Sequence, residues 1–336
     1  MSKYIKLDEY SYQPLYFYSL LIRVFTIVTM KGVFMKKKNK TYLVTGAGSG
    51  FGKGIVLKMA KNKEKIIASV ENSEQKSDLE REVKDKNLDI QIEILDITSP
   101  DDRKRAGSWD VDVLLNNAGV SLGGSLVDIP EEILRRQFEV NYFGSIFLTQ
   151  EVVKQMVPKG EGKVVFVTSV HGIMADPISG PYCGTKFALE AAAESLSAEL
   201  QQYGIEVAVI NPGPYLTGFN DREYESFKYW DSDPSTWLYD YNKMAFPYEQ
   251  IKSIDAVVDG TIDVMTGKNN DFRNVIPKAL SVVAKKRQKD LWNKKSDEDL
   301  GKRHSLIETS FDIEPKTSIL EGIGRRITKP FRKSTD

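Results

Sequence analysis

The chain holds a single cysteine, Cys183, among 336 residues. No internal disulfide can form, and such usage suits a reducing compartment, so a cytoplasmic location is expected. Histidine is almost as scarce. His171 and His304 lie far apart with no neighbouring cysteine, so no zinc site is expected and no metal is assigned. Charge excess is absent as well, with 47 basic and 47 acidic residues. No global field draws the protein to nucleic acid, which is not expected as a partner. The sequence shows no internal repeat and no low-complexity tract. The apolar run from Leu15 to Met30 is interrupted by Arg23 and falls short of the ~20 residues needed to cross a bilayer.

That run belongs to an N-terminal extension, residues 1–34, unlike the rest of the chain. Lys3 and Lys6 precede it as in a signal peptide, but so do Asp8 and Glu9, and no small-residue cleavage site follows. An upstream start, a surface anchor, and a cleaved or spanning segment all stay open. Met35-Lys36-Lys37-Lys38 reads like a second beginning. One domain is expected over residues 35–280, followed by a polar, basic tail over residues 281–336 that is helical in part.

From Lys40 onward, short apolar runs alternate with helical stretches. Strands are expected at Thr41–Thr45, Ile66–Val70, Ile90–Leu95, Val111–Leu115, Val164–Thr168, Val207–Ile210 and Phe272–Ile276. Helices are expected at Gly52–Lys61, Glu131–Val157, Tyr182–Tyr203, Ser253–Thr266 and Ala279–Asn293. Near-continuous apolar strands separated by helices imply an α/β fold: a doubly wound, mostly parallel sheet with helices on both faces (a Rossmann fold). Ligands then bind at the carboxyl ends of the strands, where strand order reverses.

Two patterns carry chemistry. The first strand runs into Thr45-Gly46-Ala47-Gly48-Ser49-Gly50-Phe51-Gly52. Glycines there let backbone approach a ligand closely, and the following helix aims free N–H groups at it, which suits a pyrophosphate. A nucleotide-triphosphate loop fails, because Ala47 and Gly54 stand where it needs a glycine and a hydroxyl. Farther on, Tyr182 and Lys186 are four residues apart, so phenol and ammonium share one helix face. A fixed positive charge pulls a phenol down from its usual ~10 and suits it to move a proton to or from an alcohol oxygen.

Together with Asn116-Asn117-Ala118-Gly119, Ser169 thirteen residues before Tyr182, Asn141, and Asn211-Pro212-Gly213 with Thr217, these motifs resemble the short-chain dehydrogenase/reductase family. The resemblance is strong from about Lys40 to Thr217 and weaker to Ile276. It implies Tyr182 as general acid/base, Lys186 lowering its pKa and binding the nicotinamide ribose, Ser169 holding the substrate oxygen, and Asn141 anchoring a water beside Lys186. It also implies cofactor contacts at Thr45, Gly46, Ser49, Gly50, Phe51, Gly52, Glu71, Asp96, Asn117, Ala118, Gly119, Tyr182, Lys186, Pro212, Gly213 and Thr217. Asp96 is equally readable as a helix cap.

Glu71, at the end of the second strand, suits NAD over NADP: a carboxylate there takes ribose hydroxyls and repels a 2′-phosphate. No basic residue stands at Ser49 or just after that strand, and Lys53 looks outward. An aromatic segment over residues 218–250 is expected to cover an alcohol or ketone substrate with an apolar or ring-containing body. Packing of those rings against the core or a partner subunit is the other reading. Cys183 is read as packing and His171 as a lining residue. The resemblance implies a homodimer or homotetramer through helices 131–157 and 182–203. Arg325, Arg326, Lys329, Arg332 and Lys333 form a basic cluster that reads as a solvated terminus, with contact to an anionic membrane the lesser reading. The alternatives are a nucleotide-sugar epimerase or dehydratase and a non-enzymatic NAD-binding regulator. Glycine spacing argues against the first, and retention of both Tyr182 and Lys186 against the second.

Overall fold

The computed structural model describes residues 40–313; the N-terminal extension of residues 1–34 and the basic cluster of residues 325–333 lie outside them. Seven strands build one sheet: β1 Thr41–Val44, β2 Lys65–Val70, β3 Gln91–Ile94, β4 Val113–Asn116, β5 Gly162–Val167, β6 Ile205–Pro212 and β7 Arg273–Ile276. Their order is β3-β2-β1-β4-β5-β6-β7, with every pairing parallel. From β1 the chain winds outward through β2 and β3, then returns to β4 and winds the other way. The reversal opens a crevice at the carboxyl ends of β1 and β4, where such sheets bind ligands.

Parallel strands need crossovers, and helices supply them. They are α1 Gly50–Lys61, α2 Ser73–Asp85, α3 Pro100–Gly107, α4 Glu131–Phe138, α5 Ser145–Lys159, α6 Gly180–Leu200, α7 Phe219–Tyr224, α8 Asp255–Thr266, α9 Ala279–Leu291 and α10 Ser305–Asp312. Side chains alternate across each strand. Val44, Leu115 and Val165 pack with Ile55 and Met59 of α1 and Val257 of α8. Leu43, Leu114 and Phe166 face the other way, onto Leu148 of α5 and Leu189 of α6. Both faces are therefore dry, which is why the strands read as unbroken apolar runs.

Two departures from the sequence reading matter for the site. The single helix expected over Glu131–Val157 is interrupted by a π-helical turn at Glu139–Gly144. Periodicity does not reveal it, because the apolar face continues on both sides. The rings of residues 218–250 also pack mainly on one another. Trp230 lies 5.0 Å from Tyr241, and Phe227 5.9 Å from the same ring. Ile133 of α4 and Ile307 and Phe311 of α10 complete this satellite core. The Ala245 N–H donates to the Ser310 carbonyl at 2.8 Å, so α10, which the sequence reading passed over, docks on the lid.

Candidate active site

The glycine turn fits the cofactor by its tightness. Gly46 has φ +66°, a conformation favourable only without a Cβ. A Cβ added at Gly52 would stand 2.4 Å from the Gly46 carbonyl oxygen, so α1 begins in direct contact with the turn. Ser49, before α1, makes no cap hydrogen bond, and the first turn of α1 carries no acid. Its free N–H groups and positive dipole end are left for an anion.

Two expected cofactor residues instead hold that turn in shape. The Thr45 hydroxyl accepts from the N–H groups of Asn117 (2.9 Å) and Ala118 (3.0 Å). The Asn117 amide donates back to the carbonyls of Thr45 (2.8 Å) and Gly46 (3.2 Å). Thr217 closes the opposite side, within 3.9 Å of where a Gly50 side chain would begin. Phe51 turns its ring edge-on to Tyr215 at 5.5 Å. At the end of β6, which includes Pro212, the Gly213 N–H donates to the Ile276 carbonyl at 2.8 Å.

The crevice also brings the four expected catalytic residues together. Ser169 follows β5 in extended backbone; its hydroxyl accepts from the His171 N–H at 3.0 Å and lies beside the Tyr182 phenol, favouring its ionised form. Lys186 lies one turn along α6 from Tyr182. Its ammonium is 5.6 Å from the Tyr182 ring centre and donates to the Val167 carbonyl at 3.0 Å. A Cβ on Gly119 would meet Asn141 Oδ1 at 3.1 Å and Lys186 Nζ at 3.8 Å, so the turn after β4 passes directly over both. Asn141 sits in the π turn, a distortion common at functional sites. Its amide donates to the Val120 carbonyl (2.8 Å) and the Thr185 hydroxyl (3.0 Å), and its carbonyl accepts from the Val120 N–H (2.8 Å). Asn141 therefore fixes the turn after β4, and its two N–H donors are both engaged within the protein.

The electrostatics differ from the simple spacing argument. Burial raises the Tyr182 phenol well above its ordinary value, the Glu223 carboxylate adds to this, and the Ser169 hydroxyl opposes it. Burial outweighs the depression expected from Lys186. The lysine points past the ring at a backbone carbonyl, and burial pushes its own pKa down to about 8 against the pull of Glu190. Tyr182 is thus a phenol at neutral pH. Burial also pushes the Cys183 thiol up to about 12, so no thiolate forms and packing accounts for it.

Glu71 is exposed beyond β2, and its N–H donates to Gln75 Oε1 at 3.1 Å. Lys53 pairs with Glu82 at 3.2 Å. Asp96 is not the cap of α3: its Oδ1 accepts from the Thr98 N–H and hydroxyl, while Ser99 caps the helix.

Several residues at the site carry no sequence motif. Asp176 is buried and accepts from Arg287 Nη1 of α9 (2.5 Å) and from the Tyr248 hydroxyl of the lid (2.6 Å). His171 Nε2 lies 3.0 Å from the same carboxylate, with its ring 6.1 Å from Tyr182. His171 is therefore tied behind the tyrosine. Glu190, one turn beyond Lys186, accepts from Thr168 and Asn211 (both 2.5 Å) and pairs with Arg273. Its spacing from Lys186 was the one available signal. Among the described residues no group of side chains could hold a metal, and no helix is long and apolar enough to cross a membrane.

Comparison with known proteins agrees with this geometry. Residues 40–226 match the short chain dehydrogenase family. The NADPH-dependent 3-dehydrocapnine reductase of Ornithobacterium rhinotracheale is 32% identical over 256 residues, 73% of this chain and 88% of that protein. The 3-ketodihydrosphingosine reductase of Bacteroides thetaiotaomicron is 33% identical over 186 residues, 54% of this chain and 65% of that protein. A short-chain dehydrogenase/reductase from Burkholderia phymatum, solved with NAD, superposes with a TM-score of 0.68 at 20% identity, covering 80% of this chain and all of that one. The matched family, the parallel sheet and the glycine turn place this chain in the short-chain dehydrogenase/reductase family, whose members are nicotinamide-dependent oxidoreductases of CH–OH groups.

Proposed function

We propose that this protein reduces a ketone with an extended apolar body to the secondary alcohol, with NADH preferred over NADPH. The observation that carries the reading is the convergence of Ser169 and a buried Lys186 on Tyr182 beneath the turn at Gly119. A bound nicotinamide supplies the hydride. Ser169 holds the carbonyl oxygen, and Tyr182, protonated at neutral pH, gives its proton to that oxygen as charge develops. Lys186 and Ser169 stabilise the phenolate left behind.

An apolar substrate is supported by the names of the relatives, which include a 3-ketodihydrosphingosine reductase and retinol dehydrogenase 8. It is also supported by Phe219, edge-on to Tyr182 at 5.7 Å, and by the exposed Leu126 packed against Gly180. The aromatic lid itself argues less than the sequence implied, because most of its rings serve the satellite core. NADH is favoured by the exposed carboxylate of Glu71 and by the pairing of the Lys53 ammonium with Glu82. The test is a screen of long-chain ketones and alcohols with both cofactors, following nicotinamide absorbance. Turnover confined to small polar sugars, or tighter binding of NADPH than NADH, overturns the corresponding part.

The same site sets a pH dependence. Lys186 is charged below about 8, so ketone reduction is expected to fall as pH rises through that value and the phenolate loses its counter-charge. A flat profile across this range removes Lys186 from that role. A dimer or tetramer is part of the reading as well. Phe143, Phe147 and Phe187 are exposed on the two helical segments named for the subunit contact, and Phe143 stacks on Phe147 at 5.8 Å. A monomer by light scattering contradicts it.

A further inference from the structure

We propose that Glu223 is a specificity residue that reads an ammonium on the carbon next to the reacting carbonyl, making α-amino ketones the preferred substrates. The inference rests on the ketone-reductase reading above and deepens it.

Glu223 lies on α7, four residues after Phe219, so the two share one helix face. Phe219 lies edge-on to the Tyr182 ring at 5.7 Å, so that face of α7 packs on the tyrosine. The other side of the carboxyl meets the loop after β4. Ser121 Oγ donates to Glu223 Oε2 at 2.9 Å, and Ser121 is two residues past Gly119, the residue over Lys186. The Gly123 N–H donates to the Glu223 carbonyl at 3.0 Å, fixing the backbone beneath the side chain.

What is missing is a cation. Glu223 is 2% exposed, and its Oε1 has no hydrogen-bond partner among the described residues. Burial raises the pKa of the carboxyl, while His171, Ser179 and Ser121 favour its ionised form; the Ser179 contact falls short of a full hydrogen bond to Oε1. No lysine or arginine pairs with Glu223 among the described residues. A buried carboxylate without a cation is costly, so structural carboxyls are normally paired or fully hydrogen-bonded. Asp176 and Glu190 follow that rule in the same neighbourhood, each with an arginine. Glu223 departs from it next to the chemistry. A substrate ammonium supplies the absent charge and holds the carboxyl ionised against its burial, the fold having already met the cost of desolvating Glu223. A neutral hydroxyl would fill the hydrogen bond but leave the charge uncompensated.

The test uses the full chain with NADH and NADPH and two ketones: a dodecanone bearing an amine on the carbon beside the carbonyl, and its counterpart without the amine. The wild type is expected to favour the amino ketone by tenfold or more in kcat/KM. In Glu223→Gln that ratio is expected to fall at least tenfold, chiefly through KM for the amino ketone. Should the variant fail to fold, inhibition of the wild type serves instead: dodecylamine is expected to compete with the plain ketone at least tenfold better than dodecanol. Turnover of both ketones without an amine preference overturns this inference alone, and so does an equal loss on both in the variant. Failure to turn over either ketone overturns the reductase reading and this inference with it.

Discussion

Replacing Tyr182 with phenylalanine is expected to lower turnover on the order of a thousandfold, the usual worth of a positioned general acid. Cofactor affinity should remain nearly intact. The ring keeps its place between His171 and Phe219, so the substitution removes one oxygen and little packing. The glycine turn is held independently by Thr45 and Asn117, and neither touches the phenol. Stopped-flow turnover with a separate titration of nicotinamide fluorescence distinguishes the two effects. Unchanged turnover removes Tyr182 from the mechanism.

The second large effect concerns stability. Asp176→Ala is expected to destabilise the protein by about 3 kcal/mol, because removing one partner leaves a partly buried arginine and a phenol without their acceptor. That corresponds to a Tm lower by roughly 5–10 °C. The estimate takes the low end of the range because the Arg287 side chain is one-third exposed. Burial alone would raise the Asp176 pKa, but His171, Tyr248 and Arg287 outweigh it and hold the carboxyl well below the usual range. The sign follows: this stabilisation is complete above ordinary carboxylate pKa values and is lost as pH falls toward the depressed one. Wild type should therefore lose more stability on acidification than the variant. Parallel acid-titration melts check this, and equal slopes reject it.

The sheet was legible because β1 to β7 are covered on both faces, which leaves them as apolar runs, and because each crossover helix separates them cleanly. Of the four candidate catalytic positions, Tyr182 and Lys186 were legible from spacing, one helical turn apart, and Ser169 and Asn141 through the resemblance of their motifs to the family. What escaped depends on partners distant in sequence. Asp176 meets Arg287 111 residues later, and Glu223 meets Ser121 across 102; no window of sequence joins them. The lid rings read as a substrate cover because their actual partners, Ile307 and Phe311, stand in a segment taken for a polar tail. The phenol's raised pKa was hidden for the same reason. Spacing supplies the lysine, but only the fold supplies the burial that outweighs it.

The hydrogen bonds that shape the glycine turn span 70 to 73 residues, from Thr45 to the segment after β4. The nucleotide cradle is consequently a long-range object, assembled only once two non-consecutive strands lie side by side. Long-range parallel pairing of this kind forms slowly. During refolding, the recovery of nicotinamide binding should lag the recovery of helix and mark the moment the central strands join.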